Sequence, residues 1–141
     1  MTTIDFYFNA GDRLQLACRL AGKAVSQRKR LLVWAPQADS AQQIDRMMWT
    51  SPPTGFVPHC MAQDALAGET PVLISAGATD PKGCAILLNL GEDCPPAFER
   101  FERLLEIVSR ADQDRQCARK RYRFYRERGY AITDHDLAAG S

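Results

Sequence analysis

Four short apolar runs constrain this chain most: Leu31 to Ala35 (LLVWA), Pro71 to Ala76 (PVLISA), Ala85 to Leu90 (AILLNL) and Leu104 to Val108. Runs this short with little polar alternation read as strands covered on both faces, the habit of parallel sheets. Thr3 to Asn9 (TIDFYFN) alternates, is rich in aromatics and suits a first strand. Between it and Leu31, from Arg13 to Gln27, apolar residues Leu14, Ala17, Cys18, Ala21, Ala24 and Val25 recur at helical spacing behind Asp12, a candidate cap. Strand, helix, strand implies a right-handed crossover.

The remaining chain repeats that alternation. Asp39 or Ser40 can cap a helix running to about Trp49, with Ile44, Met47 and Met48 on one side. Ser51-Pro52-Pro53-Thr54-Gly55 is a stiff loop leading to a short extended segment, Phe56 to His59. Pro95-Pro96 opens a short helix (PAFERF) before the last core strand. The expected fold is α/β: one Rossmann-like domain over residues 1–130, mostly parallel, with helices on both faces and no nucleotide site. Gly129 to Ile132 can add a small terminal strand or arm. Residues 131–141 are expected to form a tail, frayed from Asp134 onward.

Charge is concentrated in Arg115 to Arg128, RQCARKRYRFYRER, which holds seven of the eighteen Lys and Arg residues and one acid. No Gly or Pro interrupts it, and Gly129 follows where a helix stops most easily. At 100° per residue Arg115, Arg119, Arg123 and Arg126 fall within roughly an 80° arc bordered by Tyr122. Ala118, Tyr125, Cys117 and Phe124 form the expected core stripe, flanked by Arg121 and Arg128, which must snorkel or pair. The arc is either a solvated basic face or an anion-binding groove, since planar guanidiniums suit carboxylate and phosphate. Net charge over 141 residues is only +1, so the helix is a local excess and broad wrapping of nucleic acid is disfavoured.

Sites for chemistry are sparse. The first strand is followed by Asn9-Ala10-Gly11-Asp12, one glycine where a dinucleotide loop wants three. Gly77 to Gly83 lacks the Gly-Lys-Ser/Thr ending, and Pro81 removes an amide donor. His59 and His135 are far apart and no Cys-x-x-Cys exists, so no metal or other cofactor is expected. Five unpaired-looking cysteines, no apolar run of membrane-spanning length and no signal-like start lead to the expectation of a cytoplasmic protein with free thiols. No catalytic activity is expected. Trp49 and Phe56, on either side of a proline-stiffened loop, read equally as core residues or as interface anchors.

Three segments, IDFYF, QIDRMMWTSPPTGFVPH and ARKRYRFYRERGY, together resemble the chi subunit of bacterial DNA polymerase III, with likeness from the first strand to about Tyr130 and loosest between Cys60 and Gly91. The resemblance implies a non-enzymatic adaptor of the clamp-loader complex, acting at the replication fork and reaching DNA through its partners. It implies one surface for the acidic C-terminal tail of single-stranded-DNA-binding protein, matched here by Val108, Arg115, Arg119, Tyr122 and Arg123. Arg126 joins these from the arc. It implies a second surface for the psi subunit, or for a helicase-like partner in some bacteria, matched by Trp49 and Phe56. Arg115 and Arg123 stand where the family often has Lys, which keeps the charge and changes the hydrogen-bond geometry. The competing reading is a module whose basic helix binds single-stranded nucleic acid directly, with Tyr122 stacking on a base.

Overall fold

A computed structural model describes residues 2–50, 59–61, 70–77, 79–81 and 83–137. Phe56, and Trp49 apart from its backbone, lie outside this description. The element order is β1 (Thr3–Ala10), α1 (Arg13–Ser26), β2 (Leu31–Trp34), α2 (Ala38–Thr50), β3 (His59–Met61), β4 (Val72–Ser75) and β5 (Ile86–Asn89), followed by a single 3-10 turn (Phe98–Arg100), β6 (Arg103–Ser109), α3 (Asp112–Glu127) and β7 (Ile132–Asp136). The strands form one sheet in the order β3-β4-β2-β5-β6-β1-β7, every pairing parallel. The fold is therefore the expected α/β layering, with the parallel character complete.

Strand alternation divides the interior into two cores. On one side Leu31, Val33, Val72, Ile74, Ile86, Leu88, Leu105 and Ile107 pack beneath α1 and α2. On the other Leu32, Trp34, Leu73, Leu87, Leu104 and Val108 meet Ala118 and Tyr125 of α3, with Phe98 and Phe101 covering the rest. Each central strand thus buries both sides, which is why its residues show no polar alternation. Asp12 caps α1 as expected, its Oδ1 accepting from the amides of Leu14 and Gln15 at 3.0 and 3.2 Å. For α2 the expectation is off by two or three residues: the helix begins at Ala38 with Gln37 at the cap position, so Asp39 sits inside its first turn, where a carboxylate complements the helix dipole.

The chain's end differs from expectation. A terminal strand exists, but it begins at Ile132, the last residue of the expected arm, and continues through Asp134 to Asp136, where fraying is expected: residues 132–136 form β7 and pair with β1 from Ile4–Ile132 to Phe8–Asp136. β7 takes up the backbone groups that the outer side of β1 would otherwise leave unpaired, and Ile132 packs against the aromatic core, so the polar residues are held by the ladder rather than by their own burial. β1 carries a register break between Tyr7 and Ala10, with Asn9 at a left-handed φ of 62°.

Candidate functional site

The basic helix α3 starts three residues before Arg115, with Asp112 and Asp114 in its first turn. Both favour the positive end of the helix dipole, and Asp114 also accepts from the Ser109 amide at 2.7 Å. At the other end Gly129 takes φ 81°, Gly129 N donates to Arg126 O at 3.1 Å and Tyr130 N to Tyr125 O at 3.2 Å. That pair of bonds is a Schellman stop, which needs a glycine in the left-handed region.

What fixes the helix on the sheet is a buried polar cluster. Glu106, on β6, is fully buried and meets Arg121, itself 2% exposed, at 3.0 Å. Tyr125 Oη donates to the other Glu106 oxygen at 2.6 Å, and Asn89 Nδ2 lies 3.1 Å from each. Arg121 Nη1 reaches on to the Glu92 carbonyl at 2.7 Å. Burial pushes the Glu106 carboxyl up from the ordinary range, while Arg121, Tyr125 and Asn89 all favour its ionised form. Burial also raises Tyr125, reinforced by the neighbouring Glu106 charge. The buried axis of α3 is thus Ala118, Arg121 and Tyr125. Cys117 and Phe124 lie only at its margin, half-buried, and Arg128 stacks over the Phe124 ring at 4.0 Å.

Beside this axis lies a groove of about 470 Å³ between α3, the end of β6 and the β1–β7 edge. Val108, Arg115, Arg119, Tyr122, Arg123 and Arg126 all line it. The four arginines are exposed, and among the described residues none has an ion-pair partner. The floor is apolar: Val108 and Ala118 are buried, and Tyr122 packs on Phe6 at 4.9 Å and Phe8 at 6.3 Å between ring centroids. A site with unpaired guanidiniums along one wall and an aromatic-aliphatic floor can hold an anion joined to an apolar group.

Residues 1–133 match the family described as DNA polymerase III chi subunit, HolC. The chain belongs to that family. It is 37% identical to the DNA polymerase III subunit chi of Pseudomonas aeruginosa over 97% of this chain and 98% of that one. With the subunit chi of Escherichia coli it shares 30% identity over 84% of this chain and 81% of the other. For Haemophilus influenzae the figures are 27%, 87% and 86%.

In this chi-family chain the groove also includes residues that sequence reasoning missed. Phe8 continues the period-two alternation of Phe6, which marks it as an inward position of the first strand. Asn9 enters through the register break and Ser109 through the end of β6, neither of which a single sequence reveals. Asp134 enters because β7 exists. Trp49 closes α2, on the opposite face of the sheet from the groove, and Phe56 is outside the described residues. No group of three His, Cys, Asp or Glu capable of holding a metal occurs among the described residues, and no described helix is long and apolar enough to cross a membrane. Cys18 is buried, which with the nearby Asp12 charge raises its thiol to about 11.

Proposed function

We propose that this chi-family chain is a non-catalytic accessory subunit of the DNA polymerase III clamp-loader complex, and that its α3 groove binds the acidic C-terminal tail of single-stranded-DNA-binding protein. The observation that carries the reading is the set of four exposed arginines, without an ion-pair partner among the described residues, above an apolar floor. Acidic side chains of the tail meet Arg115, Arg119, Arg123 and Arg126, and an apolar end group rests among Val108, Phe8 and Tyr122. Each charge-assisted contact contributes about 1 to 2 kcal/mol when partly shielded. After ordering costs, the peptide binds at about micromolar strength, near 8 kcal/mol. Contact of that strength exchanges quickly, which suits a subunit that couples moving parts at a cytoplasmic replication fork.

The test is a titration of an acidic peptide ending in Phe with a free carboxylate. Wild type binds, and Arg119→Ala binds about tenfold more weakly. Equal affinity for both proteins defeats the assignment. A second contact, with the psi subunit, is assigned through Trp49 and Phe56 on family resemblance. Trp49→Ala abolishes co-purification with psi while leaving thermal unfolding unchanged; loss of the folded state in that variant makes Trp49 a core residue instead.

A further inference from the structure

The groove is not uniformly positive. Asp134 is the one carboxylate among the described residues lining it, set against four arginines. Its Oδ2 accepts from Tyr122 Oη at 3.2 Å. The charge is held in place by its strand. In the ladder Asp134 stands opposite Phe6, which faces α3. His135, pointing to the other side, stacks on Tyr7 with centroids 4.5 Å apart and lies 3.0 Å from Asp5. Asn9 donates to Asp136 at 2.8 Å, and the left-handed turn at Asn9 is what brings its side chain to the rim. Neighbours on both sides therefore keep Asp134 over the groove.

Two opposite charges bracket the floor at this point. The Tyr122 hydroxyl is pushed up by burial and by Asp134, and is drawn down by Arg126. A ligand crossing the groove meets a cationic wall on α3 and an anionic stop on β7, with Tyr122 between them.

We infer that Asp134 is a specificity-determining residue, whose fixed carboxylate admits a short acidic peptide with an apolar group and turns away continuous polyanions such as single-stranded nucleic acid. The inference rests on the peptide-binding reading above. A peptide can turn its acids toward α3 and set an apolar side chain against Tyr122 and Phe8, directly under Asp134. A phosphodiester chain carries a charge at every unit, so even with a base set against Tyr122 the flanking phosphates stay within a Debye length of Asp134. Discrimination then comes from repelling the wrong ligand as much as from attracting the right one.

The experiment is fluorescence anisotropy at about 50 mM salt, where phosphate contacts are much stronger than at physiological salt. Labelled acidic peptide and labelled oligothymidylate are each titrated with wild type, Asp134→Asn and Tyr122→Phe. Asparagine keeps the shape of aspartate and an acceptor for Tyr122, so only the charge is removed. Asp134→Asn is expected to tighten oligothymidylate by about three- to tenfold more than it tightens the peptide, the modest size reflecting an exposed, screened charge. Tyr122→Phe removes the hydroxyl but keeps the carboxylate, and is expected to preserve the wild-type ratio of the two affinities. An unchanged ratio in Asp134→Asn overturns the inference, as does Tyr122→Phe reproducing the change. Wild type failing to bind the peptide removes the underlying reading as well, and is seen before any variant is measured.

Discussion

Arginines on one helix meet two environments. Arg121 is sealed against the sheet and gives its guanidinium to Glu106 and the Glu92 carbonyl. Arg119 and Arg123, two residues away on either side, stand in solvent without a partner among the described residues. Residue type is the same; what differs is whether the donors are already engaged. A buried, paired arginine positions its helix and is closed to ligands. An exposed, unpaired one adds little to stability, since its neighbours of like charge repel it, and keeps its donors available.

The largest effect separates the two environments through stability. Arg121→Ala leaves Glu106 buried without its cation and costs about 3 to 5 kcal/mol, read from urea unfolding. A loss below about 1 kcal/mol erases the distinction drawn between the two sets. Tyr125→Phe is milder, since it removes one of several donors to the same carboxylate while preserving the ring packing against Phe98 and Phe6. The expected cost is about 1 to 3 kcal/mol. Arg121→Met combined with Glu106→Gln should recover part of the loss in Arg121→Ala, because the stranded charge is gone and only weaker polar terms remain.

The two environments were unequally legible in the sequence. Helical phase placed Arg115, Arg119, Arg123 and Arg126 together, because an uninterrupted helix fixes relative angles whatever it packs against. It left Arg121 as a residue that must snorkel or pair. Which of these occurs depends on Glu106 and Asn89, which come from two other strands and meet α3 only through the sheet order. Strands β2, β4, β5 and β6 were readable because burial on both sides removes polar alternation. β7 was legible only at Ile132, since a polar edge strand is held by backbone bonds to β1, and the Thr-Asp-His-Asp that follows looks like a loop. Missing the rest of β7 meant missing Asp134. The register break at Asn9, where backbone leaves the ladder, left no mark on composition either.

Affinity gives the complementary measurement. Arg123→Ala should weaken binding of the acidic peptide by about 1 to 2 kcal/mol while changing unfolding by no more than about 0.5 kcal/mol. Raising salt should weaken the peptide contact in wild type and leave the Arg121 contribution to unfolding nearly untouched, because surface charges are screened and buried ones much less so. An Arg123→Ala variant that unfolds easily would place that side chain in the supporting set rather than the available one.

The smallest difference comes from replacing arginine by lysine in both environments. At Arg123 an ammonium keeps the charge and loses the fork, and an exposed site lets the ligand and water adjust around it. Peptide affinity should fall by less than about 0.5 kcal/mol, with the same dependence on salt. At Arg121 one point charge cannot serve both Glu106 and the Glu92 carbonyl, which lie in different directions from a single planar group. Arg121→Lys should therefore lose more stability than Arg123→Lys loses affinity, although both keep the charge. Comparable losses at the two sites would mean that planar geometry matters as much in the groove as in the core, and would point to a bidentate carboxylate held at Arg123.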